Sequence, residues 1–385
     1  MMNISRKSGL YVHIPFCASK CGYCDFYSIE DVSLTNSFIE ALCTEIELTA
    51  KNTNRDCQFD SLYLGGGTPS LLSLNYIGDI VNVISKFFNL DTDSEITIEV
   101  NPGTVNREQL KAFSDLGINR VSIGVQSFNP LELQLLERSH TLMDSMKTID
   151  NCRQIGITNI NLDLIYAIPY QTADNWISTL KQTASLIPEH LSVYNLTYEK
   201  ETPFYNYLAE GRLKRHNEDM EIEFYNTAHH LLTEFGYEHY EVSNYARSEF
   251  YYSRHNYKYW QHVPYLGFGP SAHSFWDKSR WANIRSVIQY ISILNQKKFP
   301  RSFKENLKPH QLISEHIFLA LRTYKGISLG GFREVSGRDF LRIFDREIKE
   351  LIDSKLAIVD NDYFKLTEKG MLLCDEINLK LSVGQ

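Results

Sequence analysis

Short apolar runs alternate with stretches of helical periodicity through the first half of the chain. The runs are rich in β-branched and aromatic residues and have the length of strands; they cover residues 10–14, 61–64, 95–100, 120–125, 159–164 and 190–196. Apolar residues recur at helical spacing in residues 37–49, 74–88, 106–116, 130–137 and 172–186. Six strand and helix units in series predict a parallel sheet, either doubly wound or curled into a barrel.

The unusual residues of this half fall at the ends of the predicted strands. A cysteine-rich loop follows the first run, a triple glycine follows the second, and polar side chains mark the ends of the other four: Glu99, Gln126, Asp163 and Thr197. In a βα barrel the reactive side chains gather at the carboxyl ends of the strands. Because all six features would share one rim, the pattern favours a partial (β/α)6 barrel.

The chain changes character after the sixth predicted strand. Residues 213–235 have helical periodicity, and residues 237–265 are rich in tyrosine. This segment ends in a histidine, an asparagine and a tryptophan close together, followed by several glycines. We assign it to the same unit as the barrel, so that the first domain is predicted to span residues 1–295.

The last part of the chain has the pattern of a small separate domain. Two charged helical stretches, 309–324 and 339–354, precede a hairpin pattern at 357–366. Helices followed by a hairpin predict a winged-helix-like α+β domain over residues 296–385. Its candidate recognition stretch is rich in Asp and Glu, and the whole chain carries a net charge of −8. This charge argues against nucleic-acid binding and favours a packing or partner-docking role.

Composition places the chain among ordinary globular proteins. It has 385 residues, of which 43% are hydrophobic and 22% charged. The N-terminus lacks the apolar stretch of a signal peptide, and no window approaches the ~20 apolar residues of a membrane span. We therefore expect a cytoplasmic protein, which would meet a membrane only through its partners or by surface docking.

Three cysteines, Cys17, Cys21 and Cys24, lie within eight positions of one loop. Thiolates at this density are typical of iron-sulfur and zinc sites. A closed zinc site needs a fourth ligand, and the other four cysteines are scattered singly along the chain. The spacing therefore favours a [4Fe-4S] cluster in which one iron has no protein ligand and can bind a small molecule.

Several rim residues raise the question of a ligand pocket. Glu99 ends an apolar strand, where an unpaired carboxylate is costly, so we expect a cationic partner: a ligand or a helix Lys or Arg. Gln126 and Asp163 lie in similar surroundings, and Arg138 follows one helix later. Each residue alone is also explained as a hydrogen-bonded structural group, and the triple glycine as a tight turn. Together they predict a pocket.

The cysteine spacing resembles the radical S-adenosylmethionine (SAM) superfamily. Five motifs, YVHIPFC, GGGTP, IEVNP, GVQSF and DLIY, are similar to the family that holds the oxygen-independent coproporphyrinogen III dehydrogenases and the HemW heme chaperones. The resemblance implies that the three cysteines bind the cluster and that Tyr11, Gly66 and Glu99 surround its SAM. Six further positions match a second SAM site of the dehydrogenases: Tyr23, Gly67, Thr68, Gln126, Arg138 and Asp163.

Local differences separate the two branches of this family. The dehydrogenases carry another cysteine two positions after the third cluster ligand, where this chain has Phe26, and a longer segment before the first strand. The stretch from His255 to Trp260 matches the HNxxYW motif of the HemW group. This match implies that His255 is a heme ligand, since a neutral imidazole can bind heme iron. The structural alternative is that His255 and Asn256 hydrogen-bond loop backbone.

The sequence thus predicts a SAM-dependent, cluster-bearing heme chaperone that passes heme to acceptor hemoproteins. Its cofactors would be the [4Fe-4S] cluster, SAM and heme, and no catalytic residue is assigned. The alternative is a radical enzyme that decarboxylates coproporphyrinogen through a 5′-deoxyadenosyl radical. A third possibility is radical chemistry on another substrate, because one fold hosts many reactions.

Overall fold

The computed structural model describes residues 7–54 and 56–382 and contains the predicted parallel sheet. Its strands are β1 (Ser8–Ile14), β2 (Gln58–Gly66), β3 (Asn89–Val100), β4 (Arg120–Gln126), β5 (Asn159–Tyr166) and β6 (His190–Asn195). Each strand pairs in parallel with the next in chain order. All six predicted strands are confirmed. Their apolar side chains form one continuous buried core.

Helices connect these strands, as parallel pairing requires. They are α1 (Thr35–Lys51), α2 (Leu74–Phe87), α3 (Arg107–Asp115), α4 (Pro130–Leu135), α5 (Leu142–Gln154) and α6 (Ala173–Ser185). The predicted N-cap of α3 is confirmed: Asn106 Oδ1 accepts from the Gln109 backbone N–H at 2.8 Å, and Gln109 Oε1 accepts from that of Asn106 at 3.0 Å. Helix α5 was not predicted. Its buried face includes Ser145 and Thr148, so it lacks a clear apolar stripe.

Strands from later in the chain extend the sheet at both ends. They are β7 (Glu238–Glu241), β8 (Asn244–Ala246), β9 (Tyr265–Phe268), β10 (His273–Trp276), β11 (Ser279–Asn283) and β12 (Arg301–Asn306). The twelve strands run in the order β12-β11-β10-β9-β1-β2-β3-β4-β5-β6-β8-β7. Because β12 and β7 do not pair, the barrel stays open, as the predicted partial barrel requires. Four further helices belong to this part: α7 (Pro203–Ala209), α8 (Glu218–Glu234), α9 (Arg254–Trp260) and α10 (Val287–Asn295).

The C-terminal part has its own antiparallel sheet and core, so the predicted small α+β domain is confirmed. Its elements are α11 (Pro309–Ala320), β13 (Ile327–Ser328), α12 (Leu329–Ser336), α13 (Phe340–Ile343), α14 (Asp345–Asp353), β14 (Ala357–Asp360), β15 (Tyr363–Leu366), α15 (Glu368–Leu372) and α16 (Cys374–Lys380). The single helix predicted over 339–354 is two helices. Phe344 leaves helical geometry between them, with φ −117° and ψ 28°.

The small domain packs against the exposed edge of β7. The backbone N–H of Val242 donates to the carbonyl of Arg322 at 3.0 Å, and that of Tyr324 donates to the carbonyl of Tyr240 at 3.1 Å. These bonds satisfy groups that an edge strand leaves unpaired. Strand β12 still belongs to the large sheet, so the division predicted at residue 295 falls one strand before that sheet ends.

Candidate functional site

The predicted site residues gather at one edge of the parallel sheet. Ile14, at the end of β1, pairs with Gly66 at the end of β2, and Glu99 of β3 pairs with Ser122 of β4. Gln126 ends β4 beside β5, which carries Asp163. The cysteine loop begins three residues after β1. Residues that are far apart in sequence therefore lie at one edge, as expected when reactive side chains gather at the carboxyl ends of barrel strands.

The three cysteines of this loop are half-buried, and none forms a disulfide. Burial raises the pKa of the Cys24 thiol to about 11, and the nearby Cys17 and Cys21 thiolates add to the shift. Among the described residues, no three His, Cys, Asp or Glu side chains are grouped around a point where one metal ion would sit. A [4Fe-4S] cluster held by the three thiolates, each on a different iron, stays a prediction.

A chain of hydrogen bonds links Cys17 to Cys21. Thr68 Oγ1 donates to Cys17 Sγ at 3.6 Å and accepts from Asn101 Nδ2 at 2.8 Å. Arg138 Nη2 donates to Asn101 Oδ1 at 2.5 Å, while its Nη1 donates to Cys21 Sγ at 3.7 Å. Donors aimed at two thiolates stabilise their charged form. We therefore regard Thr68, Asn101 and Arg138 as supports of the cysteine loop.

Asn101 was not singled out by sequence reasoning. Its only signal was its position, two residues after Glu99 at the end of the third strand. Tyr23 lies on the same side of the site, and its ring meets that of Phe204 edge to face at 6.0 Å. Burial raises the pKa of Tyr23 while the adjacent Arg138 guanidinium opposes the shift. Tyr23 is therefore a neutral phenol beside the arginine.

The triple glycine lets β2 approach the cysteine loop closely. The backbone N–H of Gly67 donates to the carbonyl of Ile14 at 2.8 Å, and a Cβ at Gly67 would lie 2.6 Å from the carbonyl oxygen of Phe16. Gly66 has a φ of +113°, which L side chains rarely adopt. A close backbone contact therefore explains Gly67, while the positive φ and the adjacent His13 ring explain Gly66.

Glu99 is a half-buried carboxylate held by two neutral donors. The hydroxyl of Tyr63 donates to Oε1 at 2.8 Å, and the backbone N–H of Gly66 donates to Oε2 at 3.0 Å. Burial, with a smaller contribution from Asp163, raises the pKa of Glu99 to about 7. In the described part of the chain no Lys or Arg forms an ion pair with Glu99. The site therefore has room for a cationic ligand group.

Asp163 and Gln126 complete the rim in different ways. Asp163 accepts from Ser122 Oγ at 3.1 Å and from Asn161 Nδ2 at 2.8 Å, and burial raises its pKa. Gln126 has a φ of +64°, an uncommon conformation for a residue with a side chain. A strained backbone at the end of a strand is often found at functional sites.

His255 lies in the barrel interior, on α9. Its side chain is 1% exposed, Nδ1 lies 3.1 Å from Ser61 Oγ, and Nε2 lies 2.7 Å from the hydroxyl of Tyr259. Burial lowers the pKa of His255 to about 3, so the imidazole is neutral. Both ring nitrogens thus have partners within the chain. The structural alternative predicted bonds to loop backbone, but both ring partners of His255 are side-chain hydroxyls, and a role in iron binding stays a prediction.

The described part of the chain contains no helix that is long and apolar enough to cross a bilayer. It does contain a cleft of about 460 Å³ beside the cysteine loop. The cleft is lined by residues from the loop, β1, α9 and the strands β9 and β10, including Tyr11, Phe26, Tyr259, Tyr265, His273 and Arg285. Of these, only Tyr11 was assigned to the SAM site from the sequence.

Comparison with known proteins matches both parts of the chain. The model of the Radical SAM superfamily matches residues 11–183, and that of the HemN C-terminal domain matches residues 307–373. The first match spans strands β1 to β5 and most of α6, and the second covers most of the small domain.

Whole-length relatives are also similar. The chain is 34% identical to the heme chaperone HemW of Bacillus subtilis, over 95% of this chain and 97% of that protein. It is 32% identical to the heme chaperone HemW of Lactococcus lactis, over 97% of each chain. Among solved structures, coproporphyrinogen III oxidase (HemN) from Escherichia coli, a radical SAM enzyme, has a TM-score of 0.85 at 25% identity, over 98% of this chain and 90% of the enzyme.

Proposed function

Because this chain belongs to the HemW heme-chaperone family of radical SAM proteins, we propose that it binds heme and delivers it to acceptor hemoproteins. The observation that carries the proposal is the similarity along nearly the whole chain to relatives named heme chaperones. Local structure supports it. Phe26 stands where the resemblance places a further cysteine in the dehydrogenases, and its side chain is 68% exposed beside the cluster loop.

Membership of the radical SAM superfamily implies a [4Fe-4S] cluster and SAM. In this proposal Cys17, Cys21 and Cys24 hold the cluster, which when bound supplies an electron for SAM cleavage. Thr68 and Arg138 donate hydrogen bonds to the sulfur atoms of Cys17 and Cys21. These two donors thus orient the cysteine loop without adding a protein ligand.

The remaining rim residues are proposed to bind SAM. The anionic form of Glu99 attracts the amino group of the methionine moiety, and the hydroxyl of Tyr63 orients that carboxylate. Tyr11 and Gly66, whose backbone N–H donates to Glu99, are proposed to lie beside the same SAM. A second SAM would contact Tyr23, Gly67, Thr68, Gln126, Arg138 and Asp163.

The HNxxYW motif is proposed to contribute to heme binding through His255. In the structure its ring is held by Ser61 and Tyr259, so iron binding would require Nε2 to exchange the hydroxyl of Tyr259 for the metal. His255→Ala is then expected to weaken heme binding while leaving the cluster intact. Unchanged heme affinity in that variant would remove His255 from the heme site.

The second candidate function is oxidative decarboxylation of coproporphyrinogen. The TM-score of 0.85 with coproporphyrinogen III oxidase favours it. The test is anaerobic incubation of cluster-reconstituted protein with reductant, SAM and coproporphyrinogen III, beside an authentic dehydrogenase. The chaperone proposal predicts no protoporphyrinogen while the control is active. Protoporphyrinogen formed by this chain, but not by Cys17→Ala, would overturn the chaperone proposal in favour of the decarboxylase.

A further inference from the structure

The small domain contacts the large sheet towards both of its ends. At one end it meets β7 through the two backbone hydrogen bonds described above, and it meets α8 through Glu368 of α15. Towards the other end, Glu315 of α11 pairs with Arg280 of β11 at 2.6 Å and lies 3.3 Å from His262, which follows α9. Each end therefore has a contact between a barrel histidine and a glutamate of the small domain.

At the first end, His229 of α8 lies between His239 of β7 and Glu368. Its Nδ1 is 2.9 Å from Nδ1 of His239, and its Nε2 is 2.9 Å from Oε1 of Glu368. Nε2 of His239 lies 3.3 Å from the carbonyl oxygen of Val242, which can only accept, so this nitrogen carries a proton. A neutral His239 therefore accepts at Nδ1, and Nδ1 of His229 donates to it.

This arrangement makes the contact with Glu368 depend on the charge of His229. Because the Nδ1 proton is committed to His239, Nε2 has a proton to donate to Glu368 only when the ring is an imidazolium. A neutral ring either faces the carboxylate with a lone pair or moves its proton to Nε2 and loses the bond to His239. Burial lowers the pKa of His239 to about 3, and the adjacent His229 adds to the shift, so His239 stays the neutral acceptor.

Other titratable groups surround His229. His230 of α8 meets its ring edge to face at 5.5 Å, and Tyr324 of the small domain lies parallel to it at 6.0 Å. Burial raises the pKa of Tyr324 to about 12, so this phenol stays neutral. Burial also raises the pKa of Glu241 on β7 to about 7, while Arg322 of the small domain favours its charged form. The effect of Glu241 on docking thus has the opposite sign, because its attraction to Arg322 grows as the pH rises.

The second contact lies beside the motif helix. The ring of His262 is stacked on Phe275 at 4.4 Å, and its side chain is 11% exposed. Its buried Nε2 lies 3.3 Å from Oε2 of Glu315. Arg280, which also pairs with Glu305, holds the other oxygen of Glu315. Protonated His262 supplies a cation to the second oxygen, whereas the neutral ring supplies none.

We propose that two contacts, His229 with Glu368 and His262 with Glu315, clamp the small domain onto the barrel, and that protonation of the histidines tightens this clamp. Imidazole changes its charge between about pH 5 and pH 8, so the clamp is strongest at the acid end of that range and weakens as the pH rises. The inference is independent of the proposed heme function. Because His262 follows α9, the clamp also holds the C-terminal end of the motif helix.

The test follows the two backbone amides that bond across the interface, those of Val242 and Tyr324. Hydrogen exchange of the full chain is measured by mass spectrometry at pH 6, 7 and 8, and the rates are converted to protection factors so that the intrinsic pH dependence of exchange cancels. Wild-type protection is expected to fall by about three- to tenfold from pH 6 to pH 8, because each partly exposed ion pair contributes up to about fivefold.

The variants separate the histidines from Glu241. His229→Gln combined with His262→Gln removes both titrating rings, so its protection should no longer fall as the pH rises. His310→Gln, which replaces an exposed histidine of α11, is the matched control and should keep the wild-type dependence. Glu368→Gln removes one carboxylate and should lose part of the dependence. Circular dichroism of each variant reports whether the fold is kept.

Wild-type protection that stays constant or rises from pH 6 to pH 8 overturns the clamp. A fall that persists unchanged in the folded double variant assigns the pH dependence to another group and overturns it equally. If the double variant does not fold, Glu368→Gln decides, because its side chain is 60% exposed and its replacement disturbs no core. Wild-type dependence in Glu368→Gln would then refute the first contact and with it the proposal.

Discussion

The two sides of the barrel mouth hold their polar side chains differently. On the side of β1 to β5, Thr68, Asn101 and Arg138 are bonded to one another and to two cysteines. On the side of β9 to β11, His273 and Arg285 are exposed and hold few partners. The first side is therefore preorganised for a ligand, whereas the second is open to solvent.

The largest expected effect separates the two sides. Cys17→Ala removes one of three thiolate ligands, so bound iron and sulfide after anaerobic reconstitution should fall to background and SAM cleavage should stop. Heme affinity should stay as in the wild type, because the proposed heme residue His255 lies on α9 and not in the cysteine loop. Cys57→Ala, a half-buried cysteine outside the loop, is the control and should keep its cluster. A Cys17→Ala protein with full iron content would refute the assignment of the cluster loop.

The rigidity of the preorganised side rests on the glycine turn. Gly67→Ala would force a Cβ to within 2.6 Å of the Phe16 carbonyl oxygen, so the free energy of unfolding should fall by about 1–3 kcal/mol. Gly330→Ala, where an added Cβ meets no atom within 4 Å in helix α12, should leave stability unchanged or raise it slightly. Urea unfolding measures both. Equal free energies of unfolding for the two variants would contradict the close approach of Gly67 to the Phe16 carbonyl.

The pH dependence of SAM binding tests the charge on Glu99. Its pKa is raised to about 7, so the carboxylate is charged above that pH and becomes neutral as the pH falls through it. Because only the charged form attracts the SAM amino group, affinity should fall by up to about tenfold per pH unit below 7. Glu99→Gln should bind SAM weakly at pH 8 and lose this dependence. Calorimetry at several pH values measures the SAM affinity. A wild-type affinity that does not change between pH 8 and pH 6 would contradict the proposed role of Glu99.

Sequence periodicity predicted the fold well where burial is continuous. The six parallel strands place unbroken apolar runs in one core, so their pattern is unambiguous. Helix α5 was missed because its buried face carries small polar residues, while Met143 is 73% exposed. Residues 339–354 divide into two helices at Phe344, whose backbone leaves helical geometry, and hydrophobic periodicity gives no signal of such a break.

The site was predictable only where one rule gathers its residues. The strand-end rule and the family resemblance found the cysteines and the rim, because each side chain closes a recognisable strand. Asn101 was missed because its importance lies in a bond to Arg138. The burial of His255 depends on how α9 packs against β1 and β2, which no local pattern reveals.

The central claim is that this chain carries heme rather than converting its precursor. The most direct measurement is the anaerobic titration of cluster-loaded wild-type protein with ferric heme, with iron and sulfide assayed before and after. The account predicts a saturable one-to-one complex with a Soret band, and a cluster that stays intact throughout. Protein with a full cluster that shows no saturable heme spectrum would contradict it.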